Sequence, residues 1–214
     1  MFIGGKPMAI GLMGGTFNPI HIGHLIIAEW IKDEWNLEKI IFIPAGNPPH
    51  KKKNDLIESN IRYDLVELAI SSNESFEIAD FEIVKKEVSY TIDTIINFRK
   101  IYAEDRLYFI IGADTLFQLE KWKGFKELAK MVEFITYSRW GYDKLHIEDR
   151  IQTLTRDYGF QIYYSNGPEI QISSSSIRDR LKEGLSIKYM VPDSVIFEIK
   201  NKGLYKGVVD GHHK

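Results

Sequence analysis

The feature that most narrows the fold is a set of short, almost unbroken apolar runs. Each is followed by glycine or proline and then by a helical pattern. Ala9-Ile10-Gly11-Leu12-Met13 meets Gly14-Gly15, Lys39-Ile40-Ile41-Phe42-Ile43 meets Pro44, and Leu107-Tyr108-Phe109-Ile110-Ile111 meets Gly112. A strand covered on one face alternates apolar with polar residues, whereas a strand covered on both faces need not. These runs therefore predict strands between two layers of helix. Residues 132–137 and 161–164 predict two more strands, and Phe76-Glu77-Ile78 a shorter, more polar one. Helical spacing intervenes. Ser59 precedes a face of Ile61, Leu65, Leu68 and Ala69; Ile92, Ile95, Ile96 and Ile101 form the next; Ile147, Ile151, Leu154 and Tyr158 form a third. Residues 175–182 and 193–202 predict helices with no strand between them. Strand–helix alternation of this kind implies an α/β fold, a doubly wound parallel sheet with a small C-terminal helical segment at about 175–205. No repeat or linker divides the 214 residues, so one domain is expected, with residues 1–8 as an extension.

Composition removes several classes of function. The chain has no cysteine, which excludes disulfides, thiolate metal sites, iron–sulfur clusters and cysteine nucleophiles. Lys+Arg number 28 against 30 Asp+Glu, so 28 − 30 = −2, and a nucleic-acid-coating protein is not expected. No stretch approaches the ~18 consecutive apolar residues of a membrane helix. The start lacks the pattern of a secretory signal. The expectation is a cytoplasmic protein with no membrane and no nucleic-acid partner. His212-His213 read as a solvated tail.

In an open parallel sheet ligands bind beyond the carboxyl ends of the strands. The loops after Met13, Ile43 and Ile111 are also those with unusual sequences. Gly14-Gly15-Thr16-Phe17-Asn18-Pro19-Ile20-His21-Ile22-Gly23-His24 follows the first strand directly. Its glycine pair predicts a tight turn and close backbone approach to a ligand. His21 and His24, three apart at a helix start, share a face of its first turn. Free N–H groups and the dipole at such an end favour anions, and two imidazoles add donors for phosphate oxygens. Zinc is a poor fit, because no third ligand stands nearby. Neither Gly-x-Gly-x-x-Gly nor Gly-Lys-Ser/Thr is present, which argues against a dehydrogenase loop and a P-loop. The second segment is Ile172-Ser173-Ser174-Ser175-Ser176-Ile177-Arg178. Serines cap a helix start, and Arg178 falls one turn after Ser175, a suitable holder for a polyphosphate.

The first string resembles the HxGH signature of the nucleotidyltransferase superfamily. The second resembles its I-S-S-T-x-I-R signature, with Ser175 at the threonine position. Further strings narrow the resemblance: Ile43-Pro44-Ala45-Gly46-Asn47-Pro48-Pro49-His50-Lys51, Ser89-Tyr90-Thr91-Ile92-Asp93-Thr94, and Gly112-Ala113-Asp114 with Leu119 and Trp122. With Val191-Pro192 and Gly203-Leu204-Tyr205, the set is similar to the bacterial nicotinate-mononucleotide adenylyltransferases from about Ala9 to Tyr205.

That resemblance implies a Rossmann-like fold and transfer of AMP from ATP to nicotinate mononucleotide, giving deamido-NAD and pyrophosphate. By resemblance, His21 and His24 serve the α-phosphate, and Ser175 with Arg178 holds the β- and γ-phosphates. Gly14, Gly15, Thr16, Phe17, Gly112, Ile172 and Ser173 fall on the ATP side, with Asp114 near the adenosine ribose. Lys51 would contact phosphate. Thr91 would lie near the nicotinate carboxylate, and Trp122 would stack on the pyridine ring. Mg²⁺ would accompany ATP on phosphate oxygens and water, without a protein carboxylate cage. A homo-oligomer is left open. Adenylyl transfer to nicotinamide mononucleotide or phosphopantetheine, or a non-catalytic nucleotide-binding module, remain the alternatives. Three departures stand out. Asn18 replaces a frequent Asp, Lys85 and Glu87 replace an arginine and a glycine, and Arg139-Trp140-Gly141-Tyr142 replaces Arg-Pro-Gly-Tyr.

Overall fold

The computed structural model describes residues 7–48, 56–85, 87–138 and 141–205. Six strands form one parallel sheet: β1 (Ala9–Gly15), β2 (Lys39–Pro44), β3 (Phe76–Ile78), β4 (Arg106–Gly112), β5 (Glu133–Tyr137) and β6 (Ile162–Ser165). Their order is β3-β2-β1-β4-β5-β6, and every pairing is parallel. The chain thus winds outward from β1 to one edge, then returns and winds to the other. The switch point lies between β1 and β4, where a crevice opens beyond the strand ends.

The apolar runs explain why these segments are central. Along a strand, successive side chains point to opposite faces. Met13, Ile40, Phe42, Tyr108 and Ile110 enter one buried cluster, while Ile10, Leu12, Ile41, Ile43, Phe109 and Ile111 enter the other. On the first face lie α1 (Ile22–Glu34), α2 (Ser59–Ile70), α8 (Ser174–Lys182) and α9 (Asp193–Asn201). On the second lie α4 (Thr91–Ile101), α5 (Ala113–Leu116), α6 (Phe125–Met131) and α7 (Lys144–Tyr158). The short α3 (Phe81–Val84) follows β3. Among the described residues no helix is long and apolar enough to cross a membrane.

Two expectations need correction. Gly14 and Gly15 do not form a turn. They continue β1, in register with Ile43 and Pro44, and the chain leaves the sheet only at Thr16. Their lack of a side chain matters for packing, since a Cβ on Gly14 would stand 2.9 Å from the Phe109 ring. The buried helix stripes also differ. On α2 the inward residues are Arg62, Leu65, Val66, Ala69 and Ile70, and Leu68 is exposed. On α4 they are Ile92, Ile95 and Phe98, and Ile96 and Ile101 are exposed. An aromatic at 98 extends the i, i+3, i+6 line and turns Ile101 outward.

Candidate functional site

The loop from Thr16 to His21 is held tightly. Phe17 adopts φ 46°, in the left-handed region, and its ring is buried. That conformation turns the ring edge-on to His24, with centroids 5.0 Å apart. The Asn18–Pro19 peptide is cis. His21 is the N-cap of α1, and His24 lies one turn further on. Their rings stack with centroids 3.6 Å apart and 23° between planes. The intervening Gly23 is required by that stack, since a Cβ there would lie 3.0 Å from Nδ1 of His21 and 3.1 Å from Ile170.

A single hydrogen bond fixes the chemistry of His24. The backbone N–H of His21 donates to Nδ1 of His24 at 3.2 Å. A neutral imidazole that accepts at Nδ1 carries its proton on Nε2. His24 therefore presents an N–H donor on the edge facing away from the helix cap. The helix end itself offers less than expected. The Ile22 N–H already donates to the Met190 carbonyl, and the His24 N–H donates to the His21 carbonyl, each at 2.9 Å. Two of the N–H groups in the first turn of α1 are therefore already spent on carbonyls.

The second string arrives at the same place. Ser173 is the N-cap of α8 and accepts from the Ser176 N–H at 3.0 Å. Ser174 Oγ donates to the Pro19 carbonyl at 2.8 Å, and Nη1 of Arg178 donates to the Asn18 carbonyl at 2.8 Å. Nη2 of Arg178 reaches Ser175 Oγ at 3.4 Å. The two strings, 155 to 160 residues apart, are thus joined by direct hydrogen bonds. Between them and the end of β5 lies a cleft of about 350 Å³, lined by His21, His24, Tyr137, Ser138, Ile172 and Ser173.

Tyr205 braces the loop from the chain's far end, its hydroxyl donating to Asn18 Oδ1 at 3.0 Å. Burial pushes its phenol well above the usual range, against the charges of Arg178 and Arg62, so it stays a donor. Asn18 supplies the acceptor oxygen that the more frequent Asp would supply.

The strings expected to hold the second substrate gather on the other side of β1. Thr91 is the first residue of α4, and Tyr90 is its N-cap. Trp122 is half-buried and meets Phe109 edge-on, with centroids 6.1 Å apart. Lys123 lies 4.3 Å over the Tyr90 ring, and Gly124 packs against Ile92. Trp122 and Thr91 therefore flank one region, linked through Phe109 to Gly14. Gly112 caps α5 at the end of β4, and Asp114 lies in its first turn, beside the switch point. Lys85 keeps a cation at 2.7 Å from Asp93 despite replacing arginine. Lys51 and Arg139-Trp140 lie outside the described residues. Among the described residues no group of three or more His, Asp or Glu is placed to hold a metal ion.

Sequence reading missed two residues that shape this region. Arg62 is 1% exposed, and burial lowers its pKa. It donates to the carbonyls of Thr16 at 2.6 Å, Gly46 at 3.1 Å and Ile57 at 3.2 Å, and also to Ala45. It thereby ties the loop after β1 to the loop after β2. Glu82, on α3, accepts from the Thr94 hydroxyl at 2.6 Å. Burial raises its carboxyl pKa, opposed by Thr94, Ser89, the Gly46 N–H and the charge of Lys85. The available signal was an arginine set within the apolar stripe of a helix.

Comparison with known proteins agrees with this geometry. A family profile described as cytidylyltransferase-like matches residues 12–180. The chain is 43% identical over 202 residues to a probable nicotinate-nucleotide adenylyltransferase of Thermoanaerobacter sp. (strain X514), covering 94% of this chain and 96% of the relative. It is 42% identical over 209 residues to a protein of the same description from Desulfitobacterium hafniense (strain DSM 10664 / DCB-2), covering 96% and 100%. In fold it is similar to Plasmodium falciparum nicotinic acid mononucleotide adenylyltransferase complexed with NaAD. That match has a TM-score of 0.77 at 21% identity, over 92% of this chain and 97% of the other.

Proposed function

The chain belongs to the cytidylyltransferase-like family and, within it, to the nicotinate-nucleotide adenylyltransferases, and from that premise we propose how its own residues perform the reaction. The enzyme transfers AMP from ATP to nicotinate mononucleotide in NAD biosynthesis. A bond forms between the acceptor's 5′-phosphate oxygen and the α-phosphorus. The α–β bridge breaks, and pyrophosphate leaves with the electron pair.

The nucleophile is a phosphate, already anionic at neutral pH, so the reaction asks for no general base and no covalent intermediate. Catalysis rests on aligning two phosphates and neutralising charge as it shifts to the leaving group. His24 donates from Nε2 to an α-phosphate oxygen. His21, stacked beneath it, fixes the ring and lines the same cleft. Arg178 and Ser175 take the β- and γ-phosphates, where a guanidinium matches paired oxygens better than an ammonium does. Gly14, Gly15, Thr16 and Phe17 bring backbone close to the nucleotide. Gly112 and Asp114 serve the ATP side across the switch point, with Ile172 and Ser173 along the cleft wall. Thr91 and Trp122 receive the pyridine nucleotide, and Lys51 its phosphate.

ATP is proposed to enter as its magnesium salt. A hard cation that keeps its waters and binds phosphate oxygens suits a site whose described residues form no carboxylate cage. It would screen the triphosphate's charge.

The observation that carries this reading is the pair of hydrogen bonds from Ser174 and Arg178 to the Pro19 and Asn18 carbonyls, which brings both signature strings to one cleft. The test is pyrophosphate release from ATP with nicotinate mononucleotide, nicotinamide mononucleotide or phosphopantetheine as acceptor. The acid form should turn over best. Preference for phosphopantetheine, or no release with any of the three, would overturn the reading.

A further inference from the structure

Gly46 sits in the loop after β2, and its peptide is held from two directions. Its carbonyl accepts from Nη2 of Arg62, rooted in α2. Its N–H faces the carboxylate of Glu82, rooted in α3. A side chain at 46 would collide with the Glu82 carbonyl oxygen, so the close approach depends on glycine. The same carboxylate accepts from the hydroxyl of Thr94, which is 1% exposed and belongs to α4. Ser89 completes the junction, its N–H donating to the Asn47 carbonyl at 3.3 Å and its buried hydroxyl 3.3 Å from where a Cβ on Gly46 would be. Glu82 therefore stands where the loop after β2 meets α4, its carboxylate bonded to Thr94 in the first turn of that helix and its backbone carbonyl against Gly46. Arg62 ties that same loop to Thr16 and so to the phosphate side.

We propose that Glu82 is a positioning residue for the acceptor nucleotide: with Arg62 on the opposite side of the Gly46 peptide, it fixes the loop after β2 against the start of α4. The proposal rests on the adenylyltransferase reading for the identity of the acceptor. Its physical content is local. A carboxylate is acceptor-only, and the groups around it on the Gly46 and Thr94 sides are donors. Glutamine has the same shape but turns an NH₂ toward one of those donors. The loop then loses an anchor while the fold keeps its volume. None of the hydrogen bonds described for Glu82 reaches His21 or His24.

The test is steady-state kinetics of Glu82→Gln and Thr94→Val beside the wild type, with ATP and nicotinate mononucleotide varied in turn and melting followed by circular dichroism. Glu82→Gln should raise the acceptor KM about five- to tenfold and leave the ATP KM within about twofold, a split that a general loss of structure does not produce. Thr94→Val removes one donor, and should raise the acceptor KM by about two- to threefold alone. If Glu82→Gln folds and shifts both KM values equally, or neither, the proposal fails. If that variant does not fold, Thr94→Val decides, and an unchanged acceptor KM refutes the proposal. Absence of wild-type turnover with nicotinate mononucleotide sinks the adenylyltransferase reading instead, and the acceptor role with it.

Discussion

Replacing Gly23 with alanine should disable the site while leaving the fold intact. The added Cβ would stand 3.0 Å from Nδ1 and 3.1 Å from Cε1 of His21, and 3.1 Å from Cγ2 of Ile170. Nonbonded contacts of this kind settle at about 3.5–4.0 Å. The His21 ring must then withdraw by roughly 0.4–0.5 Å, because Ile170 closes the other direction. The ring cannot withdraw alone, since its face lies against His24 at 3.6 Å. Displacing a reacting group by about 1 Å costs on the order of 10²-fold, so half that displacement corresponds to about tenfold in kcat, or ~1.4 kcal/mol. Intrinsic propensity acts the opposite way, as alanine favours a helix over glycine by up to about 1 kcal/mol. The expected signature is therefore lower turnover at an undiminished melting temperature. Pyrophosphate release at saturating substrates measures the first and circular dichroism the second. A second arm isolates the cause. In a His21→Ala background the imidazole clash is gone and the added methyl can move away from Ile170 into the space left by the ring, so Gly23→Ala should cost less than about twofold there. Turnover above half of wild type in the single variant, or strict additivity in the double, would refute the reasoning.

Three further outcomes follow from the same geometry. His24→Ala should lower kcat by about 10²–10³-fold, the loss typical of one preorganised donor, with little change in the ATP KM; stopped-time product assays check it, and a loss below about twofold excludes the role. Trp122→Ala should mainly raise the KM for the pyridine nucleotide, because stacking serves ground and transition states alike; a change confined to ATP kinetics excludes the stacking. Tyr205 titrates above its ordinary value of 10.0 when folded. Its contribution to stability is thus complete below pH 10 and lost as the pH rises through the higher folded value. Tyr205→Phe should remove about 1 kcal/mol at neutral pH and flatten the alkaline decline in denaturant midpoint; an unchanged alkaline slope contradicts the assignment.

The sheet was legible because its strands are buried on both faces, which leaves an apolar run no alternation can mimic. The two signature strings were legible because glycines, histidines and serines cluster at strand and helix ends, where chemistry is done. Arg62 and Glu82 were not, because a buried charge looks like a surface charge until its partners are known. Arg62 bonds backbone carbonyls, which carry no sequence signal at all. The helix end of α1 misled for a related reason. Two of its N–H groups, those of Ile22 and His24, are taken by carbonyls of the distant Met190 and of His21, the first of these set by the path of residues 187–190. Gly14 and Gly15 misled because glycine suggests a bend, and here it makes room for the Phe109 and Phe17 rings within a straight strand.

The loop carrying Asn18 and Pro19 is synthesised well before its supports, which come from Ser174, Arg178 and Tyr205, separated from it by 155, 160 and 187 residues. During translation the first strand can leave the ribosome long before the serine hydroxyl, guanidinium and phenol that steady it exist. A nascent chain halted midway would hold the histidines without their scaffold. The support of this loop is complete only once residues 174–205 have been made, so a product ended before them lacks every one of these three contacts.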